Sequence, residues 1–339
     1  MNLNVSLSHL PLISNLAICL SLLTTFPSPA QAQSVQATTA SSAPESIRYG
    51  DASGTGGIPP LSPKDSLSKV KTHSELRVDL VAAEPMVADP VAIDFGPDGR
   101  IWVAEMIDYA RGAEEEFEST GQIRSLVDQN DDGIPDQATV FIGGLRFPTD
   151  VKVWRNGILI CDAPDVFYAE DTDGDGKADL KQVLFTGFET YNGQARVNSL
   201  QWGLDNWIYG SCGLTGGFIT RGDYYRAGGL NPLPDLSDSQ EPVNLRGRDF
   251  RMRPDTGEIE AVTGRTQQSR VRDDWGNWFG CDNETLAKFY PVSERDLKRN
   301  PFVPAPETSV YVPDGENAGK LFPDGDLVLF KLSGSGGRA

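Results

Sequence analysis

Two acidic segments hold the residue types and spacing best suited to chemistry. They are Asp128-Gln-Asn130-Asp-Asp132-Gly133-Ile-Pro-Asp136 and Asp171-Thr-Asp173-Gly-Asp175-Gly176-Lys-Ala-Asp179. Both read D-x-[DN]-x-D-G-x-x-D. Clustered carboxylate and amide oxygens on a tight turn suit a hard cation, and glycine permits the bend after the third ligand. The expected ligands are Asp128, Asn130, Asp132 and Asp136 in the first loop, and Asp171, Asp173, Asp175 and Asp179 in the second. The closing glutamate of an EF-hand is replaced by Thr139 and Gln182, so these are a different kind of calcium loop. An affinity of roughly 10⁻⁴–10⁻³ M, that of extracellular modules, is expected.

Other chemistry is narrowed by composition. The only histidines are His9 and His73, which excludes most histidine-based triads and histidine-rich metal centres. A formal net charge of −18 argues against nucleic-acid binding, which needs a basic footprint. Cys161, Cys212 and Cys281 allow one disulfide with a free thiol, or no bridge. No C-x-x-C-H is present, so the sequence has no haem c motif.

The acidic loops need strands to hold them. Ile123–Val127 and Thr139–Ile142 flank the first, and Val166–Ala169 and Gln182–Phe185 the second, all strand-like. A larger repeat surrounds them. Pro90–Glu105 reads as strand, Asp-Gly turn, strand, with both central turn residues expected at positive φ. Related patterns recur at Pro148–Cys161, Val197–Tyr209 and, more weakly, Ser269–Cys281. Their spacing of about 50–70 residues matches one four-stranded propeller blade per repeat. The acidic loops then fall between the third and fourth strands of successive blades. Trp102, Trp154, Trp202, Trp207 and Trp278 sit in the repeated strands and read as core between blades, with Trp275 in the fourth turn.

Residues 1–32 contain no Asp, Glu, Lys or Arg and end in Ala30-Gln31-Ala32. They read as a signal peptide, so the mature chain is expected to be exported, periplasmic or extracellular, without Cys19 and without a transmembrane segment. Residues 33–75 read as a flexible linker with a short helix near Pro63–Leu67.

Leu76 to Pro323 resembles the propeller of the membrane-bound dehydrogenase proteins of planctomycetes and verrucomicrobia, the PVC-type haem-binding family. The matching motifs are Val81–Ile93, Asp171–Asp179, Arg196-Val-Asn198, Trp202–Tyr209 and Asp249–Glu258. The resemblance implies a six-bladed β-propeller, distantly similar to quinoprotein glucose and sorbosone dehydrogenases. It further implies carbohydrate oxidation with pyrroloquinoline quinone (PQQ), calcium, and electron transfer to a haem c domain or cytochrome c protein. Two departures stand out. The histidine base of the quinoproteins, anchored on Gly203 and Asp205, falls on Ala195, whose methyl group accepts no proton. General-base help is worth about 10²–10⁴-fold. At about 55–60 residues per blade, residues 76–323 supply about four blades, so an incomplete propeller is expected, followed by a divergent tail at 324–339.

In a propeller the segments leading into the first strand and out of the second strand converge on one end. Asp150, Arg196, Asn198, Arg270 and Arg272 lead in, and Glu105, Asp162, Asp282 and Asn283 lead out. Arg196, Asn198, Arg270 and Asp150 are the catalytic candidates, and Arg270 and Arg272 those for the quinone carboxylates. The alternatives are a calcium-stabilised, non-catalytic propeller that binds carbohydrate or protein, and a truncated, inactive fragment.

Overall fold

Tight turns set the architecture. Gly96 N–H donates to the Arg100 carbonyl (2.8 Å), Asp98 Oδ1 accepts from Arg100 N–H, and Gly99 takes φ +82°. The same closure recurs at Gly203 with Trp207 (2.8 Å) and at Asp273 with Asn277 (3.0 Å). The left-handed residues there are Asn206 and Gly276. These loops are longer than the two-residue turn expected. Asp98 satisfies the backbone with its side chain, and Gly99 alone takes the left-handed conformation.

The structure is a computed structural model. It describes residues 61–109, 119–233, 241–283, 285, 287–300, 302 and 307–312. The expected signal peptide, most of the linker and the tail at 324–339 lie outside the described residues. The short helix forms as α1 (Pro63–Lys69), capped by the Ser62 side chain and opened by proline.

The fold is all-β. Among the described residues the strands make four antiparallel sheets, none closed on itself. The first holds β1 (Pro90–Phe95), β2 (Ile101–Glu105), β3 (Gly121–Val127) and β4 (Gln137–Leu145). The second begins with β5 (Asp150–Trp154), β6 (Gly157–Asp162), β7 (Asp165–Glu170) and β8 (Leu180–Phe188). The third holds β9 (Asn198–Trp202), β10 (Ile208–Ser211), β13 (Asp249–Arg253) and β14 (Glu258–Val262). The fourth holds β15 (Gln268–Arg272), β16 (Trp278–Cys281), β17 (Lys288–Phe289) and β18 (Val310–Tyr311). The first strands adjoin one another in the order β1, β5, β9, β15, as in an open, propeller-like fan.

One feature departs from four strands per sheet. Strands β11 (Gly217–Arg221) and β12 (Val243–Asn244) leave the third sheet and extend the second beyond β8, giving it six strands. They cover an edge that would otherwise be unpaired. Tyr224 and Tyr225, in the turn beyond β11, are buried against Trp154, Tyr168 and Phe185.

Aromatic residues fill the gaps between sheets. Trp102 meets Phe141 edge-on between the first and second sheets, and Trp154, Tyr168, Phe188 and Phe250 join the second to the third. Burying each such side chain contributes about 1.5–3 kcal/mol. Trp278 stacks on Tyr209 at 4.1 Å. Trp102, Trp154 and Trp207 are core, whereas Trp202 is 38% and Trp275 83% exposed. On β1, alternate residues Val91, Ile93 and Phe95 are exposed, whereas Val103 and Leu126 on the same face of the sheet are buried with Val87, so that face is uncovered only along β1.

Candidate functional site

An antiparallel meander sends its connections alternately to two ends. Side chains tie like ends of the first strands together. Asp94 of β1 accepts from Val153 N–H and Lys152 Nζ (both 2.7 Å). Asp150 of β5 accepts from Leu200 N–H of β9, and Asn198 Nδ2 donates to the Gln267 carbonyl (2.7 Å). The four first strands therefore point the same way, and each end of the fan collects its own loops.

The acidic loops occupy the end where third strands turn into fourth strands, as expected. Asp128–Asp136 joins β3 to β4, and Asp171–Asp179 joins β7 to β8. Their hydrogen bonds repeat almost atom for atom. Asp128 Oδ2 accepts from Gly133 N–H (2.7 Å), and Asp171 Oδ2 from Gly176 N–H (2.8 Å). Asn130 accepts from Asp132 N–H, and Asp173 from Asp175 N–H. Asp136 accepts from Gln129 N–H, and Asp179 from Thr172 N–H. The fourth position takes positive φ in both, as Asp131 and Gly174.

The loops differ in how they gather charge. One oxygen each of Asp171, Asp173 and Asp179 lie within 4.8 Å of one another. Among the described residues no such acidic trio forms in the first loop, and Asp175 of the second turns to Lys177 N–H (2.8 Å). The Gly176 N–H, and then that of Gly174, hold the half-buried Asp171 carboxyl below the usual carboxylate range.

At the opposite end lie the residues leading in and out. Asp150 is fully buried, and desolvation raises its pKa to about 6, above the usual carboxylate value. With Asn198 it ties sheets together. Glu105, also buried, accepts from Ala88 N–H (2.8 Å), Gln122 Nε2 (2.6 Å) and Arg124 Nε (3.2 Å). Arg270 is 2% exposed, paired with Asp249 at 2.5 Å, and boxed by Trp278, Tyr290 and Tyr209. Arg272, expected to lead in, is instead the last residue of β15, because that strand already begins at Gln268. It stands at the β15–β16 turn, the end that carries the acidic loops, and donates to the Trp202 and Asp273 carbonyls (2.7 and 3.0 Å). Asp282 engages Lys288, and Asn283 N–H donates to Gln267 Oε1 (3.1 Å).

Arg196 and Asp162 belong to a different group. Asp162 accepts from Phe147 N–H (2.9 Å), and burial raises its carboxyl pKa. It lines an open cleft of about 470 Å³ with Arg146, Phe188, Glu189, Thr190 and Phe218. Arg196 Nη2 donates to the Thr190 carbonyl (2.8 Å), and its guanidinium stacks 4.5 Å from the Phe147 ring centre. Asp108, which sequence reasoning missed, sits with this group. Desolvation raises its pKa, and the Arg196 charge partly offsets the rise.

Over residues 62–332 the chain matches the family described as Domain of unknown function (DUF7133). It belongs to that family. No curated protein matches its sequence. The DUF7133 match runs through Asp171–Asp179 and the cleft, and it extends past Pro323, where the sequence suggests a change of character. In this DUF7133 chain Cys161, Cys212 and Cys281 are free. Burial pushes the thiols of Cys161 and Cys212 well up, which makes them poor nucleophiles. His73 is exposed and accepts from Glu75 N–H (3.4 Å). Ala195 is 1% exposed, with no titratable group. No helix among the described residues is long and apolar enough to cross a membrane.

Proposed function

We propose that the protein is an exported, propeller-like module that binds carbohydrate in the cleft of the second sheet, with calcium in the Asp171–Asp179 loop. The cleft carries the reading. Phe218, 48% exposed, gives it apolar surface, and Arg146, Asp162, Glu189 and Thr190 give it donors and acceptors. Sugars present both a C–H face and hydroxyls that donate and accept, which such a mixed lining complements. The family resemblance supports carbohydrate as the ligand class, and the pattern of residues 1–32 supports export to the periplasm or cell exterior. The trio Asp171, Asp173 and Asp179 suits a hard cation, which would neutralise their mutual repulsion.

Oxidation of the bound sugar by PQQ, with electrons passed to a cytochrome c partner, is what the resemblance implies. The residues named for the quinone do not fit it. Arg270 is committed to Asp249 and Arg272 to backbone carbonyls, and Ala195 takes the place of a base. This arrangement supports a binding module.

The test recovers the chain from the periplasm of an expressing cell. It titrates the chain calorimetrically, in excess calcium, with D-glucose, D-galactose, D-mannose and L-fucose. Saturable binding is expected with at least one sugar, weakened about tenfold by Phe218→Ala through loss of an aromatic contact. A folded chain that binds none of them refutes the proposal.

A further inference from the structure

Behind the cleft, two buried side chains of opposite charge each keep one polar atom without a partner. Asp108 is 7% exposed; its Oδ2 accepts a long bond from Thr120 N–H (3.4 Å), and its Oδ1 has none. Arg196 is 4% exposed; Nη2 and Nε are used by the carbonyls of Thr190 and Asn192 (2.8 and 3.3 Å), and Nη1 has none. The two charges act on each other, yet no hydrogen bond joins them. Leaving such groups unsatisfied is costly, more so when they are charged, so the pair calls for an explanation.

Three segments build the place. Asp108 and Tyr109 follow β2, Phe147 lies between the first and second sheets, and residues 190–196 lead into β9. Gln194 Nε2 donates to the Tyr109 hydroxyl, and the Tyr109 and Phe147 rings meet edge-on with centroids 6.3 Å apart. Arg196 is thereby held on Phe147 and under Thr190, which also lines the cleft.

We infer that Asp108 and Arg196 form a buried subsite that grips one hydroxyl of a neutral ligand. The hydroxyl donates to Asp108 Oδ1 and accepts from Arg196 Nη1. A carboxylate only accepts and a guanidinium only donates, so a group that does both answers both at once. A ligand carboxylate would meet Asp108, and a ligand ammonium would meet Arg196, which favours an uncharged hydroxyl over either. The subsite rests on the reading of the cleft as a carbohydrate site, and it adds the contact that selects among sugars.

The experiment uses the full chain and the sugar it binds most tightly among the four above, with that sugar's monodeoxy analogues. Asp108→Asn keeps the shape and removes the charge. It is expected to weaken binding about tenfold. One deoxy analogue is expected to lose about tenfold against the wild type and nothing further against Asp108→Asn. Arg196→Lys, which keeps the charge but not the planar fork, should show the same loss of discrimination. A thermal melt of each variant reports its fold, and Arg196→Lys carries the test if Asp108→Asn does not fold. Sugar binding that neither variant alters overturns the subsite and leaves the cleft reading standing. So does a loss in the variants shared equally by every deoxy analogue, or a sugar complex in which water alone lies between Asp108 and Arg196. No binding by the wild type removes both.

Discussion

The two ends of the fan use the same residue type in opposite ways. At the β3–β4 and β7–β8 turns, aspartates stand in water and collect backbone N–H groups, and Asp171 is held in its charged form. At the other end, Asp108, Asp150 and Asp162 are drawn out of water, and desolvation pushes each toward its neutral form. The difference lies in what surrounds the carboxylate. A turn supplies N–H dipoles without removing solvent, whereas the junction of several sheets removes solvent faster than it supplies partners. Repetition separates the ends as well. The exposed loops are near copies, because each is encoded by one short local motif. The buried end is assembled differently at each sheet junction, from residues distant in sequence.

The largest expected effect comes from breaking the buried end at Arg270. Its partner Asp249 is fully buried and also accepts from Thr266 N–H (3.0 Å) and Cys212 N–H (3.2 Å). Arg270→Met leaves that carboxylate without its counter-charge, at a cost of about 3–5 kcal/mol in urea unfolding. Adding Asp249→Asn to the same chain is expected to restore part of the loss. Equal destabilisation by the single and double variants would show that packing in the aromatic box, not charge, is what Arg270 supplies.

Asp150 is expected to come next, through pH. Its carboxyl has a folded pKa of about 6 against an ordinary value of 3.8. The folded state thus binds the proton more tightly than the unfolded chain. The stabilisation from that proton is complete below about pH 4 and is lost as pH rises through 6. The difference is about 3 kcal/mol between those limits. In Asp150→Asn this contribution to the pH dependence should vanish, although the variant is less stable at low pH because its one amide oxygen cannot replace the two carboxyl oxygens that accept from Leu200 N–H and Val151 N–H. Unfolding curves at pH 4, 5, 6 and 7 for both chains check it; parallel profiles would place the Asp150 charge in contact with water.

Much of the exposed end was legible in the sequence. Asp128–Asp136 and Asp171–Asp179 could be assigned to turns between third and fourth strands because motif and flanking alternation are local signals. The hairpins were legible for the same reason. The six-stranded second sheet was not, because β11 and β12 lie beyond β10 in sequence and pair with β8 only after the third sheet has begun. At the buried end the positions of Arg196 and Arg270 could be read from the repeat, but not their partners. Arg270 meets an aspartate on another sheet, and Asp108 follows β2 with no motif around it. Its burial exists only once three segments converge, so pattern alone offered no signal.

The smallest expected effect concerns the two loops themselves. Only the second gathers three carboxylate oxygens within 4.8 Å. Calcium at about ten to a hundred times its dissociation constant should stabilise the chain by about 1.4–2.7 kcal/mol, and a chelator should remove the gain. Asp171→Asn should abolish the calcium response, whereas Asp128→Asn should leave most of it. Each variant also loses some stability without calcium, because the turn N–H groups lose a charged acceptor. Melts with calcium and with chelator separate the two contributions. An equal calcium response lost in both variants would mean that the repeated turn geometry, and not the gathering of the trio, defines the cation site. The near identity of the two loops would then extend to their function.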